Sequence, residues 1–272
     1  MEYDPIKRTL GRLFNRWTFT RKLFYRLLDV LLLRTWHIHH EIRKFLRNYP
    51  GHEKGRILDA GSGFGQYVYF MARKKPSWQV LGIDVKEEEI DACRDFFSKA
   101  GITNARFQVQ DLTRYAASEQ FDLILSVDVM EHIEEDQQVF ANFHASLKPG
   151  GMLLISTPSD QGGSDVGHHG ESSFIEEHVR DGYSIADITE KLHQAGFARV
   201  EARYSYGKPG SISWRLSMKY PILLLGVSKL FLLLLPLYYL VIMPFALVLN
   251  YLDLKTKHTH GTGLLVKAWR MK

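Results

Sequence analysis

The chain has 272 residues, 45% of them hydrophobic, which is enough to bury a full core and favours one domain with additions. Its only cysteine, Cys93, excludes an intramolecular disulfide and fits a reducing compartment. The net charge of +5 is concentrated in residues 1–50, which carry eleven Lys or Arg against four acids. Such a basic segment favours attachment to anionic lipid or nucleic acid. No signal peptide is expected, because the first long apolar run, 27–33, lies late and is interrupted by an acid.

Residues 1–50 are expected to form a basic amphipathic arm, helical over 6–47, because apolar residues recur at helical spacing opposite arginines. The pattern is typical of an interfacial membrane helix. It is equally typical of a helical cap that packs on the next domain with its arginines in water. Three histidines near the end of the arm suggest a metal site, but surface or substrate-pocket positions are the favoured interpretation. They are His37, His39 and His40.

From residue 55 onward, strands and helices alternate, which predicts a sheet with helices on both faces. Strands are expected at 56–59, 79–84, 105–110, 121–127, 152–156, 198–206 and 263–269. Helices are expected at 66–74, 87–100, from about 134 to 147, and at 184–195. The fold class is therefore α/β, with a seven-stranded, mostly parallel sheet and an apolar helical insertion between the sixth and seventh strands. The expected domains are the arm at 1–50, the main domain at 51–207 with 261–272, and the insertion at 208–260.

The chain is organised around residues 57–67, where an apolar run ends in Asp59 and glycines follow at every second position. The glycines are Gly61, Gly63 and Gly65. Glycine permits the dihedral angles of a tight turn and lets a ligand approach the backbone. The free N–H groups of the following helix face the same ligand. The dinucleotide fingerprint Gly-x-Gly-x-x-Gly would require a glycine at Gln66, so the spacing counts against a nicotinamide cofactor.

The pattern Asp-x-Gly-x-Gly-x-Gly resembles that of the class I S-adenosylmethionine-dependent methyltransferases, in their small-molecule and quinone-type branch. Three later features resemble the same family in order and spacing: Asp84 at the end of the second strand, Asp111 after the third, and Leu-Lys-Pro-Gly-Gly at 147–151. The resemblance covers about residues 55–206 and 262–270. It implies S-adenosylmethionine as cofactor, bound outside the carboxyl ends of the strands.

The resemblance also implies a role for each matching acid. Asp59 would hold the methionine end of the cofactor, directly or through water. Asp84 would accept from both ribose hydroxyls, as one carboxylate can, and Asp111 would accept from the adenine amino group. Further cofactor contacts are expected from Ser62, Val85, Leu112 and Asp128, together with the three glycines. The alternatives are ordinary turn or helix-capping acids, and a tight glycine turn with no ligand.

A base matters only when the methyl acceptor is a hydroxyl, because the sulfonium of the cofactor is already activated. His132, after the fourth strand, resembles the histidine of a Glu-His pair in quinone methyltransferases. His168 and His169 lie in a glycine-flanked loop that suits a mobile lid, and His178 follows on a short predicted helix. The alternatives are packing against the cofactor for His132 and a solvated loop for the others. A metal site formed by His168, His169 and His178 with Glu171 is a further alternative. The favoured interpretation of these residues includes no metal.

Residues 221–249 form an apolar run of 29 residues whose only charge is Lys229. Length alone favours a transmembrane helix. A single crossing is excluded, however, because the expected seventh strand must return to the same sheet on the same side of the membrane. Two crossings would need roughly 40 apolar residues. Pro236 is expected to divide the run into two helices of about 14 residues each. We therefore expect a monotopic hairpin in one leaflet, with Trp214 and nearby tyrosines at the headgroups. A soluble lid or a dimer interface is the alternative.

These features predict a methyltransferase acting on a lipid-like or long apolar acceptor, with O-methylation favoured. The protein would be peripheral or monotopic at the cytoplasmic face of a membrane, with a homodimer left open. The alternatives are N-methylation of a lipid headgroup, a nicotinamide-dependent oxidoreductase and a non-catalytic membrane adaptor. Nucleic acid is not expected as a partner, because the leucine-rich insertion does not favour it and the Asn/Asp-Pro-Pro-aromatic motif of nucleic-acid amine methylation is missing.

Overall fold

The computed structural model describes residues 18–49, 54–162 and 179–271. Its centre is a seven-stranded sheet in the order β3-β2-β1-β4-β5-β7-β6, in which β7 runs antiparallel to both of its neighbours. The strands are β1 (Arg56–Ala60), β2 (Gln79–Asp84), β3 (Ala105–Val109), β4 (Phe121–Val127), β5 (Leu147–Pro158), β6 (Arg199–Ser205) and β7 (Gly263–Trp269). The predicted fold class is confirmed, including the helical insertion between β6 and β7.

Helices cover both faces of this sheet. The main-domain helices are α1 (Thr18–Leu31), α2 (Leu33–Asn48), α3 (Gln66–Lys74), α4 (Glu87–Lys99), α5 (Asp136–Ser146) and α6 (Ile185–Gln194). The insertion contains α7 (Lys208–Trp214), a π-helical turn (Arg215–Lys219), α8 (Tyr220–Val227), a 3-10 helix (Lys229–Leu233) and α9 (Leu235–Lys255). Because side chains alternate along a strand, Ile57 packs with α1–α4 on one face and Leu58 packs with α5 and α6 on the other.

The described part of the arm, residues 18–49, packs into the core. Tyr25 of α1 and Ile42 of α2 are buried in the same cluster as the strands and α3. The single predicted helix is instead two helices, because Leu32 takes an extended conformation between them (ψ 112°). Arg21 is 3% exposed, so the expectation that the arginines lie in water is wrong for this residue.

The turn predicted before the fifth strand lies inside β5. Phe121 of β4 pairs with Leu147, but the next pair is Leu123 with Met152, so the four residues between bulge out of the ladder. Gly150 there has φ +83°, a left-handed conformation that favours glycine.

The insertion differs from the predicted pair of equal helices. The chain breaks at Ser228, which is extended and whose Oγ accepts from Leu230 N at 3.3 Å. Pro236 lies in the first turn of α9, where a missing N–H costs no helical bond, so the expected break at Pro236 is wrong. Among the described residues, α9, with 21 residues, is the one helix whose length and apolar composition would allow it to cross a membrane.

Candidate active site

The glycine loop after β1 is fastened to β2. Gly61 N and Ser62 N both donate to Ile83 O at 2.9 Å. Gly65 N then donates to Ser62 O at 2.8 Å and closes the turn into α3. All three glycines have positive φ, from +44° at Gly63 to +81° at Gly61, as a turn this tight requires. The loop therefore lies at the carboxyl edge of the sheet, where the sequence placed it.

The three positions require glycine for different physical reasons. A Cβ on Gly61 would overlap Val129, and one on Gly65 would press on Cys93 Sγ at 3.0 Å. Packing inside the protein therefore excludes side chains at both positions. A Cβ on Gly63 would meet only the flexible carboxylate of Glu89 at 3.3 Å. Gly63 is therefore the position where the open space beside the backbone is available to a ligand.

Asp59 is the most perturbed acid of this edge. It is 1% exposed, and burial, followed by the nearby Asp84 carboxylate, raises its pKa to about 8. The backbone N–H of Val68, in the first turn of α3, donates to it, while its Oδ2 has no partner among the described residues. A buried carboxylate oxygen without a partner is costly unless a ligand supplies a donor or a positive charge.

The acids of β2 and β3 are held in place by neighbouring backbone groups. Asp84 accepts from Gly63 N at 2.9 Å and from Lys86 N at 3.0 Å, which fixes its carboxylate against the loop. Asp111 accepts from the N and the Oγ1 of Thr113 at 2.9 and 2.7 Å, and these bonds lower its pKa. Beside them, Val85 is exposed, whereas the side chain of Leu112 is buried in the core.

The carboxyl end of β4 carries Asp128 and the Glu131-His132 pair. Asp128 has φ +51° and forms an ion pair with Arg34. Glu131 is buried and accepts from Thr157 Oγ1 at 3.1 Å, and burial raises its pKa. His132 is half-buried at the end of a one-turn 3-10 helix, Met130–His132, that directly follows this strand.

Arg34 and Tyr206 lie beside Asp128 at this edge, and the sequence did not indicate either of them. Arg34 N donates to the hydroxyl of Tyr206 at 3.0 Å, and the buried Nε of Arg34 has no partner in the part of the chain that the structure describes. Burial raises the pKa of Tyr206 to about 12. Neither residue belongs to a motif, and 172 positions separate them, so only the fold brings them together.

Arg21 fixes the arm to the outside of the glycine loop. Its guanidinium donates to Phe64 O at 2.8 Å and to Ala92 O at 2.7 Å. Tyr25 of the same helix also donates to Phe64 O. Helix α1 therefore supports the glycine loop from its outer side. The sequence pattern did not predict this contact.

The arm histidines are structural. His37 Nε2 lies 2.9 Å from Asp253 Oδ1 of α9, and both side chains are buried. His39 stacks on Phe70 with ring centroids 3.5 Å apart. Burial lowers the pKa of both imidazoles, so they are neutral. The expectation of surface or pocket histidines is therefore wrong for these two.

Four residues of the predicted lid lie outside the described part of the chain: His168, His169, Glu171 and His178. Val179, which follows them, donates its N–H to Glu131 O at 3.1 Å. Within residues 18–49, 54–162 and 179–271, no group of three or more potential ligands is placed to hold a metal ion.

Comparison with known proteins identifies the class. Residues 51–198 match the methyltransferase domain family. The ubiquinone biosynthesis O-methyltransferase of Dinoroseobacter shibae is 30% identical over 176 residues, which cover 62% of this chain and 70% of that enzyme. The chain therefore belongs to the S-adenosylmethionine-dependent methyltransferases, and S-adenosylmethionine is its cofactor.

Other relatives share the domain but not the whole length. Phosphoethanolamine N-methyltransferase 1 of Triticum aestivum is 30% identical over 156 residues, which cover 54% of this chain and 29% of that enzyme. A structure of phosphoethanolamine N-methyltransferase 2 from Haemonchus contortus superposes with a TM-score of 0.58 at 20% identity, over 86% of this chain and 53% of that one. The latter likeness shows the fold alone.

Proposed function

We propose that this methyltransferase transfers the methyl group of its cofactor to a hydroxyl oxygen of a lipid-like or long apolar acceptor at a membrane surface. The observation that carries the proposal is the exposed apolar insertion. Its helix α9 is tied through Asp253 to the arm at His37, and the same arm reaches the catalytic edge at Arg34. An apolar surface joined so closely to the cofactor edge suits the delivery of an apolar acceptor.

On this proposal, the described edge holds the cofactor through acids and backbone. Asp59 accepts from its ammonium group, which supplies the donor that Oδ2 lacks. Asp84 and Asp111 accept from the ribose hydroxyls and the adenine amino group. Arg34 offers the unpartnered Nε to a carboxylate. Gly63 leaves the space through which the cofactor approaches the loop.

The protein's remaining task is to position the acceptor and remove a proton. When bound, S-adenosylmethionine supplies an activated methyl group, so an in-line approach of the acceptor contributes most of the rate. For a hydroxyl acceptor, His132 accepts the proton, and buried Glu131 orients the turn that carries it. O-methylation is further supported by the name of the Dinoroseobacter relative.

N-methylation of a lipid headgroup is the second candidate, because the Triticum aestivum relative is named a phosphoethanolamine N-methyltransferase. The two reactions make different demands on a base. A neutral amine needs no proton removed before attack, whereas a hydroxyl does. His132→Asn should therefore lower the kcat of O-methylation by about 100-fold or more, and leave N-methylation nearly intact.

The function is tested by supplying the purified full chain with methyl-deuterated S-adenosylmethionine and vesicles of total lipid extract. Mass spectrometry of the organic phase should find the label on the oxygen of an apolar product. Asp59→Asn, which cannot hold the cofactor, should give no labelled product. Label found only in water-soluble compounds would overturn the lipid-like acceptor, and label on nitrogen would favour the second candidate.

A further inference from the structure

The insertion presents a continuous run of exposed apolar side chains, which we call the insertion surface. It comprises α8, the 3-10 helix and the first half of α9, residues 220–245. Six of its side chains are between 63% and 80% exposed: Val227, Leu230, Leu233, Leu237, Leu240 and Phe245. Within the most apolar 18-residue stretch of α9, only 11% of the residues are buried in the protein. An apolar surface of this kind marks a site of interaction rather than contact with bulk water.

Three side-chain hydroxyls behind this surface are hydrogen-bonded within the insertion. The Tyr238 hydroxyl donates to Leu216 O at 2.6 Å, and the Tyr239 hydroxyl donates to Ser217 O at 2.9 Å. Ser213 Oγ donates to Ala246 O at 3.1 Å. The first two bonds satisfy carbonyls of the π-helical turn. Internal pairing of this kind suits a medium that offers no water to hydrogen-bond.

The charges of the insertion have one sign. Residues 208–260 contain six cations and one acid, and the acid, Asp253, is fully buried. The cations are Lys208, Arg215, Lys219, Lys229, Lys255 and Lys257. Five of them flank the two ends of the apolar run, and Lys229 is the first residue of the 3-10 helix. This pattern complements an anionic surface that surrounds an apolar interior.

We propose that the insertion surface docks into one leaflet of an anionic lipid bilayer, with the flanking cations at the headgroups. The inference rests on the proposed function in treating that bilayer as the source of the acceptor. The chain from Tyr220 to Leu233 extends at most roughly 25 Å, from eight α-helical residues, the extended Ser228 and five 3-10 residues. This is less than the hydrocarbon thickness of about 30 Å. Both ends of the insertion also return to one sheet, so it enters and leaves by the same side.

A second copy of the chain suits this surface less well. A two-fold symmetric interface brings the same patch of both copies together. It would therefore place six cations against six, with no exposed acid in the insertion to offset them. Anionic lipid removes this repulsion and covers the same apolar side chains.

Vesicle flotation of the full chain tests the docking. Wild-type protein should float with vesicles of phosphatidylcholine containing phosphatidylglycerol, and much less with phosphatidylcholine alone. The triple variant K229Q/K255Q/K257Q should lower the partition coefficient about tenfold or more, because each cation near an anionic surface contributes to binding. The control K54Q/K74Q/K99Q removes three exposed lysines from the opposite edge of the sheet and should bind as wild type does.

The apolar contribution is tested separately with L237S/L240S, in which both replaced side chains are already exposed in water. This variant should keep the thermal unfolding temperature of wild type and lose flotation at least tenfold.

Equal binding to neutral and anionic vesicles, or no binding at all, would overturn the docking. So would a wild-type dimer that L237S/L240S converts to monomer in sedimentation. Labelled lipid product formed without flotation would refute the docking and leave the proposed function standing. Flotation without labelled lipid product would support the docking and refute the proposed function.

Discussion

At the scale of single residues, Asp59 joins cofactor binding to protonation. With a pKa of about 8, its carboxyl is mostly protonated at pH 7 in the free protein. A bound ammonium group favours the carboxylate, so binding should release a proton. We expect the affinity for S-adenosylhomocysteine, the demethylated cofactor, to rise with pH and to level off above about 8.

Calorimetric titration in buffers of different ionisation enthalpy measures this proton directly. At pH 7 the observed binding enthalpy should vary with the buffer for wild type. An enthalpy that is independent of the buffer would contradict the linkage to Asp59.

Asp59→Asn should separate stability from binding. The folded-state pKa of this acid lies above its unfolded value of 3.8, so the native chain holds more protons between those pH values and loses stability as pH rises through them. The neutral Asn side chain does not titrate and therefore removes this loss of stability with rising pH. We expect a higher thermal unfolding temperature at pH 8 together with loss of cofactor binding, checked by differential scanning calorimetry and titration. A less stable variant at pH 8 would contradict the expectation.

Gly61 and Gly63 offer a matched pair of substitutions. Gly61→Ala must accommodate φ +81° and an overlap with Val129, and should lower the free energy of unfolding by about 2–4 kcal/mol. Gly63→Ala must accommodate φ +44° but meets only Glu89, and should cost about 1–2 kcal/mol. Its larger effect should be on cofactor affinity. Denaturant unfolding and titration of both variants test the pair, and equal stabilities would refute the distinction.

At the scale of elements, the arm should support the cofactor loop through Arg21. Arg21→Ala removes the side-chain donor to Ala92 O and one of the two side-chain donors to Phe64 O, and should cost about 2–4 kcal/mol of folding free energy. It should also weaken cofactor binding, because Phe64 O belongs to the loop. Arg26→Ala, on the exposed side of the same helix, is the control and should change both quantities little.

Asp253 joins the insertion to the rest of the fold. Its carboxylate accepts from Gly210 N at 3.0 Å and Tyr206 N at 3.2 Å, in addition to the contact with His37. Asp253→Ala should lower the free energy of unfolding by about 3–5 kcal/mol, and Asp253→Asn by less, because the amide oxygen still accepts. Exposed Asp91→Ala should change it by about 0.5 kcal/mol or less. Denaturant unfolding distinguishes these, and similar losses in all three variants would contradict the structural role of Asp253.

The strands and the glycine loop could be predicted from sequence because their signals are local: an apolar run, a strand-ending acid and glycines a few residues apart. The contacts of Arg34 with Asp128 and of Asp253 with His37 could not, because more than 90 positions separate the two residues of each pair and the fold alone brings them together. The predicted break at Pro236 failed for another reason. Proline is excluded from a helix interior but not from its first turn, and Ser228 provides the break instead.

At the scale of the whole molecule, the sheet places the cofactor acids on one edge, the arm braces the loop, and the insertion extends from β6 and β7 at that edge. The cofactor follows from family membership, whereas the proposed apolar acceptor rests on the exposed apolar side chains of the insertion. The most direct measurement is the distribution of label from methyl-deuterated S-adenosylmethionine between lipid and water-soluble products in membranes with the full chain, with Asp59→Asn as control. We predict labelled apolar lipid with wild type and none with the variant. Label confined to water-soluble products would contradict a membrane-borne acceptor.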